Sequence, residues 1–526
     1  MIQDITLKIS PERAADKSSL LKEVAKAARL KADEINDMNV VRRSIDARKH
    51  PIVLNLVVRI ASGDSTEVKA RFLPIDFKKV PDNAPRFIIV GAGPAGLFAA
   101  LKALQFGVKP IVVERGRDVD ARRVDIANIS REKKTNPRSN YCFGEGGAGA
   151  YSDGKLYTRS KKRGSVEEVL QLFVQHGASP NILVDAHPHI GSDKLPGVIK
   201  EIRNTILRCG GEVMFDTLVT ALHKDVDGVK GVVTDKGLIL ADGVLIATGH
   251  SARDTFHLLN ESGVALEPKG IAVGVRLEHP QKLIDKIQYH SPQGRGKYLP
   301  PAEYSFVTQV DERGVYSFCM CPGGVVVPAA TADEELVVNG MSASARSGSW
   351  ANSGMVVEIR PGDFPQFNNE GALQMLALQK HLETEVWHAA GNSIVAPAQR
   401  MKDFTEKKMS RFLPSSSYAP GIQSADFNTI LPEFIAERLR RGFLEFGKKA
   451  PGFLTNEAIL IGLESRTSSP VRITRDSSTL ESVNCRRLYP AGEGAGYAGG
   501  IVSAAIDGIR CAEAFAHNYA NDISSN

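Results

Sequence analysis

The residues whose spacing carries the clearest chemistry are Gly91-Ala-Gly93-Pro94-Ala95-Gly96, which follow the apolar run Phe87-Ile-Ile-Val90. Three glycines in six positions recur by chance in a chain with 47 of them, so the motif counts only in context. That context is present. A strand pattern precedes it, a helical pattern runs from Ala95 to Phe106, and a second strand pattern, Pro110-Ile-Val-Val-Glu114, ends on an acid 23 residues after Gly91. Gly91 permits a tight turn, Gly93 lets backbone approach a pyrophosphate, and Gly96 lets the helix pack closely. The helix N-terminus favours the anionic phosphates. Glu114 is expected to accept from both hydroxyls of an adenosine ribose, and its charge repels a 2′-phosphate, which disfavours NADP. The expected dinucleotide contacts are therefore Gly91, Gly93, Pro94, Ala95, Gly96, Glu114 and its neighbour Arg115.

Three further segments narrow the dinucleotide to FAD. Ile246-Ala-Thr248-Gly249 ends a strand in the manner of the Ala-Thr-Gly turn of flavoprotein disulfide reductases and their relatives. Tyr489-Pro-Ala-Gly492-Glu493-Gly-Ala-Gly-Tyr-Ala-Gly-Gly500-Ile501 resembles their C-terminal flavin motif. There an acid, here Glu493, holds a ribityl hydroxyl, and the next helix turns its N-terminus to the flavin's pyrimidine edge, where its dipole stabilises negative charge on the reduced ring. In Phe143-Gly-Glu-Gly-Gly147-Ala-Gly-Ala-Tyr-Ser152-Asp-Gly-Lys155-Leu, the glycines let backbone approach a flat ring while Ser152 and Lys155 offer donors. A plain surface loop is the alternative there.

Together with Phe318-Cys-Met-Cys-Pro-Gly-Gly324 and Gly462-Leu-Glu-Ser-Arg-Thr-Ser-Ser-Pro-Val-Arg472, these motifs resemble the uncharacterised bacterial FAD-dependent dehydrogenases related to the glutathione-reductase-type superfamily. The resemblance spans nearly the whole chain. It implies FAD, an FAD domain interrupted by a cap, and an N-terminal appendage, and it brings no substrate.

Other residues could take part in chemistry. Cys319 and Cys321 lie two apart on a strand pattern, which points them to one face as a thiol relay or covalent site; packed core cysteines are the plainer reading. His187 and His189 repeat that argument with imidazoles able to exchange protons near neutrality. His250 and Arg253 follow the Ala-Thr-Gly turn, so they should border the cofactor cleft. Arg466 and Arg472 could clamp a carboxylate or phosphate, or form an internal ion pair where cap and FAD domain meet. The clusters Lys161-Lys-Arg163 and Arg42-Arg43 read as solvated faces. The candidates for catalysis are His187, His189, Cys319, Cys321 and Arg466. Two ligands without a second pair make zinc improbable, so no metal is expected.

Two patterns are missing. No Cys-x-x-x-x-Cys follows the first nucleotide helix. The spacing G-x-G-x-x-G recurs at Gly144–Gly149 and Gly494–Gly499, yet neither match opens a second β-α-β unit with a closing acid. NADH or NADPH is thus expected only as a transient electron donor.

The elements that must position these groups follow from the patterning. The expected fold is α/β: a Rossmann-type, glutathione-reductase-like FAD domain at residues 86–264 and 461–526, interrupted by a mixed α+β cap at 265–460, with a β-α-β-β appendage at 1–80. Residues 117–160 read as irregular, and Ile182–Asp185 as a short strand. The 526 residues call for two or three domains, and 42% hydrophobic with 24% charged content describes a globular chain. No apolar run approaches the ~20 residues of a spanning helix, and Met1–Ile9 lacks a secretory pattern. Cytoplasmic location is the expectation. Six cysteines make no disulfide framework. A net charge of +6 demands no nucleic-acid partner.

The expected function is an FAD-dependent oxidoreductase of a small molecule, with hydride passing through flavin N5. The rivals are an RNA-modifying flavoprotein, an electron-transfer or binding module serving a partner through residues 1–80, and a reductase of carbon–carbon double bonds on a lipid-like substrate. No membrane partner is expected, and oligomeric state is open.

Overall fold

The structure, a computed structural model, describes residues 1–68, 72–158 and 164–525. The basic cluster at 161–163 lies outside the described residues.

Residues 86–90 form a strand apolar enough to be buried on both sides, and its neighbours share that property. Four such strands and the half-exposed edge strand Glu212–Met214 make one parallel sheet, ordered Leu488–Pro490, Gly243–Ile246, Arg86–Val90, Lys109–Val113, Glu212–Met214. Continuous apolar strands of this kind need cover on both faces. On one face lie the helices Pro94–Gln105 and Ile501–Ser525, packed through Leu97, Leu101, Ala505 and Phe515. On the other lies an antiparallel meander, Val219–Asp225, Gly228–Thr234 and Gly237–Leu240, whose Val229 and Val232 pack on Ile88, Ile111 and Val244.

A second, eight-stranded sheet carries the middle of the chain. At its centre Ile271–Pro280 pairs with Trp350–Ile359 on one side and Ile459–Glu464 on the other, and the long strand Arg313–Pro328 lies beyond Trp350–Ile359. The helices Gln374–Ala389 and Glu433–Lys449 bury Leu382, Leu439 and Phe443 in its core. The chain leaves the parallel-sheet unit at Leu266–Pro268 and returns at Val471–Ile473, and these two strands pair antiparallel. Ile459–Glu464, largely assigned to the returning segment from sequence, is hydrogen-bonded into the large sheet instead.

Residues 1–62 form a three-stranded antiparallel sheet, ordered Ile2–Ile9, Val53–Ser62, Ile35–Asp46. The helix Lys17–Ala28 covers it with Leu20 and Val24. The strand Ile35–Asp46 begins well before the Ile45 suggested by alternation, because register shifts at Ile35/Asp37 and Val40/Arg42 break the two-residue period. This module docks on the main body by main chain: Arg43 donates to the Val184 carbonyl and Ala186 to the Arg43 carbonyl, both at 2.9 Å, while the Arg43 and Asp185 side chains pair at 2.7 Å.

Two local expectations are overturned. The stretch read as irregular contains the helix Val119–Glu132, capped by Asp118, whose carboxylate accepts from the Asp120 amide at 2.9 Å. Its buried stripe is Val119, Arg122, Ile126 and Ile129, a helical spacing hidden by an arginine in a core position. Ile182–Asp185 is no strand; Pro180–Leu183 is a 3-10 turn with proline at its first position and Ser179 capping the Asn181 amide.

Candidate functional site

A cavity opens at the carboxyl ends of the parallel strands, where α/β sheets bind ligands, and the large sheet closes it from the opposite side. Its empty space, mouth included, is about 1400 Å³. Its lining runs from the Gly91–Ala95 turn to the Gly499–Ile501 segment.

One end is built on the glycine fingerprint. Gly91 has φ +107°, and a Cβ there would stand 2.5 Å from the Ala247 carbonyl oxygen; a Cβ on Gly96 would stand 1.9 Å from the Gly91 oxygen. Gly96 therefore works from beneath by close packing and does not line the cavity, whereas Gly91, Gly93, Pro94 and Ala95 do. Glu114 is buried, and its carboxylate accepts from Ala92 (2.8 Å), Gly116 (2.9 Å) and Gly144 (3.0 Å) backbone amides. It thereby ties the fingerprint to the glycine-rich loop. Oε2 carries one of these three hydrogen bonds and Oε1 the other two. Arg115 stacks its guanidinium 4.5 Å from the Phe143 ring centroid and pairs with Asp254 at 2.9 Å, closing this end.

The loop wall depends on a residue that sequence reading missed. Arg122 is fully buried and donates to five carbonyls, those of Asn140, Tyr141, Gly144, Glu145 and Gly147, at 2.7–3.2 Å. Of this loop's expected contacts, Gly147 and Ser152 line the cavity. Lys155 does not: its ammonium donates to the Met320 carbonyl and lies 3.6 Å from Glu303, because the chain turns away at Gly154.

At the other end stand Thr248, Gly249, Glu493, Gly500 and Ile501, with the N-terminus of the helix Ile501–Ser525 facing the space. Gly492 sits behind, its amide held by Asp507 at 2.8 Å. The Glu493 carboxyl has no hydrogen-bond or ion-pair partner among the described residues. Burial pushes it up to about 7, opposed by the charge of Lys269. An unpartnered acid facing a cavity suits a ligand that brings hydroxyl donors.

The family described as "FAD-dependent protein, C-terminal domain-like" matches residues 270–467, and "Domain of unknown function (DUF8436)" matches residues 1–61. A protein of Clostridium beijerinckii (strain ATCC 51743 / NCIMB 8052), described as uncharacterized, is 39% identical over 515 residues, covering 95% of this chain and 96% of that one. The chain belongs to this bacterial FAD-dependent family. Its cofactor is FAD. Among solved structures, a geranylgeranyl bacteriochlorophyll reductase-like protein from Thermoplasma acidophilum is 12% identical, covering 84% of this chain and 79% of that one, with a TM-score of 0.36. Glycine oxidase from Bacillus cereus is also 12% identical, with 82% and 95% covered and a TM-score of 0.31. Likenesses this loose do not bear on the reaction.

The side of the FAD cavity contributed by the large sheet includes Phe318, Cys319, Asn339 and Arg466. The shared face expected for Cys319 and Cys321 is overturned. Register shifts between Phe318 and Cys321, and Cys319 has φ +44°, so Cys319 opens into the cavity while Cys321 is buried beside Arg276 at 3.3 Å.

Arg466 is an ion-pair residue. With Arg253 it forms a buried square on Glu335 and Glu383: Arg466 lies 2.7 and 2.8 Å from the two acids, and Arg253 lies 2.6 Å from Glu383 and also pairs with Glu335. Burial raises the Glu383 carboxyl, but the two guanidiniums outweigh it and hold it down at about 2. Beside them His250 lines the cavity, lowered to about 4 by burial and by the charge of Arg466, and is therefore neutral near pH 7. His187 and His189 lie elsewhere. His187 is exposed and stacks on Tyr157 at 4.9 Å, and His189 contacts the Ser344 carbonyl at 3.1 Å. Arg276 was also missed. It pairs with Glu464 at 3.2 Å with both side chains buried, and the sequence signal is charge within apolar strands: Arg276 and Glu278 in Ile271–Pro280, and Glu464 ending Ile459–Glu464. Among the described residues no cluster of three or more metal-binding side chains exists, and no helix is long and apolar enough to cross a membrane.

Proposed function

We propose that this chain is an FAD-dependent oxidoreductase of a small-molecule substrate. Its FAD domain is of the glutathione-reductase type (residues 86–264 and 461–526), its cap is the inserted unit near 265–460, and residues 1–80 form an appendage. FAD, when bound, supplies hydride exchange with the substrate through N5.

The observation that carries the reading is the pairing of two ends in one cavity. At one end the Gly91–Gly93 backbone and the N-terminus of Pro94–Gln105 would face the pyrophosphate, and Glu114 would hold a ribose hydroxyl. At the other the Glu493 carboxyl would take a ribityl hydroxyl, and the dipole at Gly500-Ile501 would favour a reduced, negatively charged ring. Phe318, Cys319 and Asn339 line the cavity from the large sheet and would keep water from the reacting atoms. Hydride transfer needs no side-chain acid or base of its own. The protein contributes placement, a neutral His250 and a balanced Arg253–Arg466–Glu335–Glu383 square where the two units meet.

Anaerobic stopped-flow of the purified yellow protein against NADH, NADPH and a metabolite panel tests the reading, with bleaching of the flavin band expected for at least one reductant. Bound flavin that no reductant bleaches, dithionite included, would overturn it.

A further inference from the structure

Phe318 and Cys319 are consecutive on the strand Arg313–Pro328, yet both line the FAD cavity. A regular strand sends neighbours to opposite faces. Here the register shift and the left-handed backbone of Cys319 turn two side chains one way, the re-aiming that bulges perform beside active sites. The irregularity is held from below: buried Arg276 donates to the Cys319 carbonyl at 2.7 Å and to Asn352 at 2.9 Å.

Phe318 also lines a second cleft, together with Tyr157, Tyr497, Ser503 and Gly499, and Gly499 too is shared with the FAD cavity. Both tyrosines are braced from behind. The Tyr157 ring, 50% exposed, is stacked on His187 with an interplanar angle of 18°. The Tyr497 ring lies 3.8 Å from the Arg475 guanidinium, which Asp507 fixes at 2.6 Å. Braced rings present a fixed aromatic surface at little conformational cost on binding. Among the described residues the only charged side chain lining the cleft is Asp507, and Arg475 neutralises it.

We propose that this cleft is the substrate site and that it takes a neutral planar aromatic compound, lodged against Tyr157, Tyr497 and Phe318, with its reacting edge reaching the FAD cavity past Phe318 and Gly499. The proposal rests on the oxidoreductase reading above and names the substrate class for that site.

The test is a difference titration of the flavin absorption band of the full-length, FAD-loaded protein with three probes: naphthol, its anionic analogue naphthoate, and the non-aromatic cyclohexanol. Naphthol is expected to perturb the band saturably and to bind at least tenfold more tightly than the other two. Tyr157→Ala, at a half-exposed position, should weaken naphthol at least tenfold, and Tyr157→Phe should restore it. Tyr298→Ala, at an exposed ring in neither cavity, should change nothing. Equal binding of naphthol and cyclohexanol, tighter binding of naphthoate, indifference to Tyr157→Ala, or no spectral response would each overturn the proposal. Flavin content and dithionite reduction, measured on the same samples, separate these outcomes: their failure defeats the oxidoreductase reading instead.

Discussion

The Arg122 guanidinium donates to the Gly147 carbonyl at 2.9 Å, and so a helix outside the nucleotide fingerprint fixes the loop that walls the FAD cavity. A loop rich in glycine has much conformational freedom to lose, and five carbonyls converging on one cation remove it. Arg122→Met should therefore strip flavin from the protein and lower its stability by about 1–3 kcal/mol for each carbonyl left buried without a donor. Flavin content after gel filtration and denaturant unfolding of the holoprotein measure both effects. Retention of full flavin by the variant would mean that the loop holds its shape unaided.

Glu493 sets a pH dependence in the FAD-free protein. Its carboxyl, raised to about 7 in the fold, keeps its proton where the unfolded chain, near 4.5, has lost it. Between those values the folded state binds more protons, so stability falls as pH rises through the window. The size should be on the order of 1–3 kcal/mol. Glu493→Gln should flatten this slope in urea titrations at pH 5 to 7.5 and weaken FAD retention. An equally steep slope in the variant would remove Glu493 as its source.

Glu383 acts with the opposite sign. Its folded carboxyl is held at about 2, below the unfolded value near 4.5. The stability it contributes is complete above the unfolded value and is lost as pH falls through 4.5 toward 2. Glu383→Gln leaves Arg253 and Arg466 with Glu335 alone, and a cost of about 3–5 kcal/mol at neutral pH follows. Thermal unfolding at pH 7 and pH 4 checks this: the gap between wild type and variant should narrow at the lower pH.

The geometry of Cys319 and Cys321 predicts a simple redox count. Arg276 contacts the Cys321 sulfur, while Cys319 faces the cavity, and all six cysteines are free thiols. Anaerobic dithionite titration of the oxidised holoprotein should consume two electrons per chain, those of the flavin, and Cys319→Ser should titrate identically. Uptake of four electrons would reveal a disulfide working with the flavin.

What was legible in the sequence was local. The Gly91–Gly96 turn, its helix and Glu114 lie within one β-α-β unit, so their spacing alone announces them. Glu493 and Ile501 sit on a comparably continuous segment. Arg122 was hidden because a buried cation breaks the apolar stripe by which a helix is recognised. The Cys319 side chain was misdirected because a bulge cancels the two-residue period on which the same-face argument stands. The square of Arg253, Glu335, Glu383 and Arg466 joins four positions scattered from residue 253 to residue 466, and no local spacing encodes it. Arg466 was read evenly as ligand clamp or ion pair, and the fold gives it two acids.

The paired strands Leu266–Pro268 and Val471–Ile473 have a consequence for how such a protein diversifies. The inserted unit joins its host through two attachment points that are hydrogen-bonded neighbours. Segments whose ends meet tolerate replacement, as tolerated domain insertions show. A lineage can therefore recut the unit facing the substrate, strand by strand, while the spacing of Gly91, Glu114 and Glu493 stays fixed. Substrate range and cofactor grip are thus free to evolve at different rates within a single chain.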